Sequence, residues 1–238
     1  MNKPFQFKQF SIRQDRCAMK IGTDGVLLGA WASLVHQPEN ILDIGAGTGV
    51  IALMLAQRST AENIEALEID EEAFEQAVEN FENSDWGDRL FCYHAAFDEF
   101  VEEMEGEKYE LIISNPPFYS DDYSSRDARR DQARFAEALP FGELLEGVAQ
   151  LLSENGKFNV IIPRVAEEEF LKLAQSHSLF PSRITRVKGN PEVPEKRSLL
   201  ELGFREGPVE PAVLVIETAR HDYTTEYIAL TKDFYLKM

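Results

Sequence analysis

Leu42-Asp43-Ile44-Gly45-Ala46-Gly47-Thr48-Gly49 sets three glycines at alternate positions behind an acidic residue. Such glycines let a backbone turn sharply and let a ligand lie against the main chain. Dinucleotide-binding turns space theirs as G-x-G-x-x-G and receive a pyrophosphate at a helix N-terminus. Here the spacing is tighter, and Asp43 would repel a phosphate but suits an ammonium group. Glu68 lies 23 residues past Gly45, the offset of an acid that bridges two ribose hydroxyls. A nucleoside carrying a cationic amino acid in place of phosphates satisfies both acids, and S-adenosylmethionine is such a molecule. The plain alternative is a tight turn with no ligand. Asp70, Glu71 and Glu72 also leave open that Glu68 only helps to cap the next helix.

A second chemical signal is Asn115-Pro116-Pro117-Phe118. Two prolines cannot continue a central strand and force a rigid, extended exit from it. As a mere strand terminator the turn would need no ligand. Its residue types also suit an exocyclic amine, whose delocalised lone pair makes it a poor nucleophile. The Asn115 side-chain oxygen and the Pro116 carbonyl can each accept one N–H and so aim the lone pair at a sulfonium methyl. Phe118 can stack on a base swung out of its helix or loop. The methyl already carries a strong leaving group, so orientation and electrostatics can supply most of the acceleration. No metal or histidine base is needed, and the four histidines and two cysteines show no metal-ligand spacing.

Both signals need a sheet to hold them. Short apolar runs alternate with helical patterns from residue 40 to residue 176, which predicts βαβ units and a mainly parallel sheet covered on both faces. Strands are expected at 40–44, 64–69, 90–94, 109–114 and 157–162, with two later ones at 183–188 and 198–204. The glycine turn follows the first strand, Glu68 falls near the end of the second, and Asn115 follows the fourth. Ligands bind at that carboxyl edge in open α/β sheets. Helices are expected at 50–58, 71–83, 141–152 and 165–176, with Ala73, Phe74, Ala77, Val78 and Phe81 on the buried face of the second. Before the sheet, Thr23-Asp24-Gly25 reads as the N-cap of a helix over 26–34. A long charged loop spans 119–134.

The chain has 238 residues, 24 basic and 42 acidic, for a net charge of −18. That acidity argues against a nucleic-acid partner until it is located. Residues 62–110 hold eighteen acids against Arg89 and Lys108, a local net of −16. Three segments are mildly basic: 1–23 at +4, 126–134 at +2 and 183–205 at +3. The acidic stretch reads as a solvated face. The basic segments can border the carboxyl edge and meet phosphate. Phe5, Phe7 and Phe10 can stack on bases, although packing of the arm onto the domain is the simpler use. No apolar run approaches the length of a membrane span, and the N-terminus lacks the apolar stretch of a secretory signal. Cys17 and Cys92 alone suit a reducing compartment. The expectation is a cytoplasmic monomer with no membrane partner.

These motifs resemble the class I S-adenosylmethionine-dependent methyltransferases of the N6-adenine type, specifically the bacterial tRNA1(Val) (adenine(37)-N6)-methyltransferase family. The resemblance rests on Phe10-Ser11-Ile12 with Lys20–Trp31, on Asp43–Gly49 with Glu68, on Asn115–Phe118 followed by Arg130 and Ala133-Arg134, and on Pro194 with Lys196–Leu200. It implies one Rossmann-like domain over 1–238: an N-terminal arm and first helix in 1–39, and a catalytic core in 40–238. Its sheet would have seven strands with a late antiparallel one. It implies donor contacts from Thr23, Asp43, Gly45, Gly47, Gly49, Glu68 and Asn115, and a catalytic turn of Asn115, Pro116 and Phe118. A tRNA substrate would be met by Lys20, Arg126, Arg129, Arg130, Arg134, Lys196 and Arg197. Related enzymes often place an Asp after the third strand for the donor's adenine. This chain has Ala95-Ala96, so backbone groups, Phe97 or Asp98 would serve.

Other activities use similar turns. Glutamine-N5 methylation of a release factor shares Asn-Pro-Pro, but such enzymes generally carry a helical domain before the sheet and a Tyr where Phe118 stands. Guanine-N2 methylation of ribosomal RNA can share Asn-Pro-Pro-Phe, often with a duplicated domain that is not visible here. A non-catalytic RNA-binding protein on the same fold would not need Asp43, Glu68 and Asn115 together.

Overall fold

The computed structural model describes residues 3–117 and 139–238. Phe118, Arg126, Arg129, Arg130 and Arg134 therefore lie outside the described residues. A small hairpin, β1 (Phe5–Gln6) and β2 (Ser11–Ile12), leads to α1 (Thr23–Trp31). Then follow β3 (Asn40–Ile44), α2 (Val50–Arg58), β4 (Asn63–Glu68), α3 (Glu71–Glu82), β5 (Leu90–His94), α4 (Phe97–Glu103) and β6 (Tyr109–Ser114). After the undescribed stretch come α5 (Phe141–Leu151), β7 (Leu152–Pro163), a 3-10 turn (Arg164–Ala166) and α6 (Glu167–Ser176). The chain ends with β8 (Phe180–Lys188), β9 (Arg197–Gly203), β10 (Ala212–Val215), the short pair β11 (Glu217–Ala219) and β12 (Asp222–Tyr223), and α7 (Thr225–Thr231).

The main sheet has eight strands in the order β10-β8-β9-β7-β6-β3-β4-β5. All its pairings are parallel except those of β9, which runs antiparallel to both neighbours. This is the Rossmann-like arrangement expected, with one strand more. Residues 212–215 pair in parallel with β8 and form the eighth strand. Side-chain alternation divides the core in two. Ile41, Leu111, Ile161 and Leu199 face α1 and α2, while Leu42, Ile112, Phe158, Val160 and Leu200 face α5 and α6.

Three local expectations change. Helix α1 begins at Thr23 and ends at Trp31, and its N-cap is Gly22, which offers no side-chain acceptor. Strand β7 starts directly at Leu152, which pairs with Tyr109 of β6; the register is irregular from there until Lys157 pairs with Leu111. Helix α3 buries Ala73, Gln76, Ala77, Asn80 and Phe81. Phe74 lies off that face and stacks on His94, with ring centroids 5.3 Å apart.

The two buried amides of α3 hold the arm. Asn80 accepts from the Arg13 amide at 2.8 Å and donates to the Arg13 carbonyl at 2.9 Å. Gln76 accepts from the Arg16 amide at 3.0 Å. Arg16 then pairs with Glu75 at 2.8 Å and Glu79 at 2.6 Å. Part of the acidic segment thus receives the arm's own arginines. Phe7 and Phe10 are buried and stacked on each other, and Phe7 also stacks on Tyr235. These two aromatics pack the arm onto the domain.

Candidate active site

Strands β3, β4, β5 and β6 all end at one edge, and their carboxyl ends line a cavity of about 240 Å³. Gly45, Gly47, Glu68, Asn115 and Pro116 share its wall, joined by Asp98 and by Met19 from the arm. A larger space of about 1010 Å³ lies between α4 and α5, but none of the described residues of the glycine turn or the Asn115 turn line it.

The glycine turn has the backbone that its residue types predict. Gly45, Gly47 and Gly49 have φ of 76°, 55° and 77°, a region costly to side chains. The Gly45 and Ala46 amides donate to the Leu67 carbonyl at 3.0 and 2.8 Å, which ties the turn to the end of β4. Glu68 accepts from the Gly47 amide at 2.7 Å and from the Asp70 amide at 2.9 Å. Its carboxylate is therefore fixed in place, and each oxygen keeps a further lone pair for a hydroxyl. Burial raises its proton affinity, while the amides of Asp70, Gly47 and Ile69 act in the opposite direction. Asp70 caps α3 by accepting from the Ala73 amide at 2.8 Å, so Glu68 is not needed there.

These residues fit a nucleoside donor. Among the described residues, a Cβ built on Gly45 or Gly47 would meet nothing within 4 Å. The turn therefore leaves open space beside an anchored carboxylate. Asp98, at the start of α4, is exposed and borders the cavity with Phe97. They line it beside Ala95-Ala96.

Asp43 sits behind the cavity wall. It is fully buried, and neither carboxylate oxygen has a hydrogen-bond partner among the described residues. Burial pushes its pKa up to about 7; the Ala52 backbone opposes this and the Glu68 charge adds to it. The folded protein thus holds a proton that the unfolded chain releases near pH 4. The stabilising effect is complete below that pH and is lost as pH rises toward about 7. Asp43→Asn should raise the Tm at neutral pH and flatten its decline between these values. Thermal unfolding from pH 5 to pH 8 checks this, and parallel profiles for the two proteins would refute it.

The Asn115 turn is positioned from two sides. The Ser114 hydroxyl donates to the Ile44 carbonyl at 2.9 Å and joins the ends of β6 and β3. A Cβ at Gly25 of α1 would lie 3.8 Å from Asn115 Nδ2, so the first turn of α1 packs against this side chain. Thr23 is exposed at the start of α1, outside the cavity wall, and Gly49 serves as the N-cap of α2. Lys20 and Lys196 are exposed. Arg197 is engaged inside the chain, its Nε donating to Asp24 at 2.7 Å. Met19, Gln76 and Asn80 were not among the residues expected to matter. Only the amides at i and i+4 in α3 carried a hint, as polar breaks in an apolar stripe.

Among the described residues, no group of three or more His, Cys, Asp or Glu is placed to hold a metal ion, and no helix is long and apolar enough to cross a membrane.

The chain is similar to known proteins. A family described as the methyltransferase small domain matches residues 25–176. A tRNA1(Val) (adenine(37)-N6)-methyltransferase of Christiangramia forsetii is 66% identical over 238 residues, covering 100% of this chain and 99% of that protein. One from Bacteroides fragilis is 48% identical over 239 residues, covering 100% of each. Among solved structures, a predicted O-methyltransferase from Agrobacterium tumefaciens superposes with a TM-score of 0.69 at 20% identity, covering 89% of this chain and 96% of that one. At that identity the likeness concerns the fold alone.

Proposed function

Because this chain belongs to the tRNA1(Val) (adenine(37)-N6)-methyltransferase family, we propose that it methylates N6 of adenosine 37 in a valine tRNA with Asn115 and Pro116 as its catalytic platform. It is an S-adenosylmethionine-dependent enzyme of tRNA modification. The observation that carries the site assignment is the single cavity shared by Asn115, Pro116, Glu68 and the glycine turn.

The donor supplies an activated sulfonium methyl when bound. Glu68, held by two amides, accepts the ribose hydroxyls. The open space at Gly45 and Gly47 admits the donor's chain against the backbone. Asp43 lies buried behind that turn and does not line the cavity. The Asn115 oxygen and the Pro116 carbonyl accept the two amine protons, fixing the nitrogen with its lone pair toward the methyl. Phe118 follows directly in sequence and is assigned to stack on the flipped base. The amine sheds its surplus proton to solvent only after the methyl has been transferred, so no proton need leave before attack and positioning accounts for most of the rate.

Unmodified bulk tRNA incubated with labelled donor, followed by nucleoside analysis, tests the reading. Label is expected in N6-methyladenosine. Label only in N2-methylguanosine, or only in protein glutamine when a release factor is offered, would overturn it.

Phosphate contact is assigned to Lys20 and Lys196, together with Arg126, Arg129, Arg130 and Arg134. Lys20→Ala and Lys196→Ala should each weaken tRNA binding and lower the slope of log K against log salt by about 1. An unchanged slope in either variant removes that residue from the interface. Two unpaired cysteines fit a reducing cytoplasm, where we place the enzyme as a monomer. Sedimentation would read the oligomeric state directly.

A further inference from the structure

Arg197 looks in the sequence like a phosphate ligand, since it lies in a basic segment beside Lys196. Its surroundings give it a different task. Arg197 opens β9 in the middle of the sheet, paired with Pro163 of β7 and Val187 of β8. Alternation along β9 sends Ser198 and Leu200 to one face and Arg197 and Leu199 to the other, where α1 lies. There the guanidinium donates to Asp24 in the first turn of α1.

Among the described residues, that first turn has no side-chain N-cap, since Gly22 at that position supplies no acceptor. The opposite end of α1 is heavily anchored. Arg183 donates to the Trp31 carbonyl at 2.9 Å and lies 3.6 Å over the Trp31 ring centroid. Arg58 donates to the Gly29 carbonyl at 2.6 Å, and the Trp31 indole donates to Thr185 at 3.0 Å. The loosely capped end is the one that touches the chemistry. A Cβ on Gly25 would stand 3.4 Å from Val50, at the exit of the glycine turn, and 3.8 Å from Asn115 Nδ2.

We propose that Arg197 is a positioning residue for methyl transfer: through Asp24 it fixes the first turn of α1 against Asn115 and the exit of the glycine turn. This rests on the assignment of Asn115 as the group that holds the amine. The Arg197 and Asp24 side chains are 26% and 30% exposed. A pair with that much solvent contact adds little to folding stability. A small misplacement of a group that orients a reacting atom is far more costly, about 100-fold in rate per ångström.

The test compares Arg197→Gln, Asp24→Asn, the double variant, Arg197→Lys and Asn115→Ala. Arg197→Gln and Asp24→Asn should each lower kcat by about 10- to 100-fold, with Tm, the KM for tRNA and the salt dependence of tRNA binding unchanged. The double variant should lose clearly less than the product of the two single losses, because both break the same link. Arg197→Lys, which keeps a charge within reach of Asp24, should recover part of the rate. The side-chain amide NMR signals of Asn115, assigned by their loss in Asn115→Ala, should shift in both single variants. A raised KM for tRNA and a flattened salt slope at unchanged kcat would make Arg197 a phosphate ligand and overturn the proposal. Multiplying losses in the double variant, or an unmoved Asn115 signal, would overturn it as well. Turnover surviving in Asn115→Ala would instead defeat the catalytic assignment itself.

Discussion

Asn115→Ala is expected to lower kcat by about 1000-fold or more while the protein folds and binds S-adenosylmethionine. The side chain lies at the end of β6, beyond the ladder that pairs Ser114 with Ile44 and Val160. Its removal deletes no strand hydrogen bond and leaves the core on both faces intact. What is lost is one of two acceptors for the amine protons. With only the Pro116 carbonyl left, the nitrogen can rotate, and its lone pair no longer faces the methyl group. Glu68 and the glycine turn remain in place, so donor affinity should change little. Asn115→Asp keeps an acceptor oxygen and should retain more turnover than the alanine variant. Single-turnover assays at saturating tRNA and donor, with donor affinity from calorimetry, read both quantities. Turnover in Asn115→Ala within about tenfold of the parent, less than the loss of a single transition-state hydrogen bond, would remove the turn from the mechanism.

Gly49→Ala should cost the fold about 2–4 kcal/mol, from a left-handed alanine and an overpacked core together. Gly49 has φ of 77°, and its new Cβ would lie 2.5 Å from Cε1 and 3.1 Å from Cζ of Phe81. Phe81 is buried in the core that also takes in the arm and α2, so its ring cannot swing out of the way. For a chain of this size the loss corresponds to a drop of roughly 10 °C in Tm. Gly47→Ala makes the contrast. It shares the positive φ but meets nothing within 4 Å among the described residues. Its stability cost should be only that of the backbone, about 1 kcal/mol, while the added methyl enters the donor's space and weakens donor binding. Thermal unfolding and donor titration of the two variants distinguish these outcomes. Equal Tm losses would show that the Phe81 contact does not matter.

Much of the catalytic edge is legible in the amino-acid sequence. Gly45, Gly47 and Gly49 specify a left-handed turn because side chains disfavour that backbone. Pro116 and Pro117 end β6 because neither can donate to a ladder. Both are local statements about φ and hydrogen-bond donors, and both survive translation into three dimensions. The eighth strand is less visible, since 212–215 is too short an apolar run to declare a partner, and its pairing with β8 depends on how the chain returns.

Asp43, Glu68 and Asn115 were set on one edge by the sequence alone, because parallel strands joined by right-handed crossovers present all their carboxyl ends together. Tertiary structure decided whom the polar and charged side chains serve. Arg16, in the basic arm, became the partner of Glu75 and Glu79. Gln76 and Asn80 became the clasp of the arm, and Arg197 the partner of Asp24. Residue types fix what a charge or an amide is able to bind. Its actual partner lies far along the chain, and only the packing of sheet, helices and arm brings the two within hydrogen-bond reach.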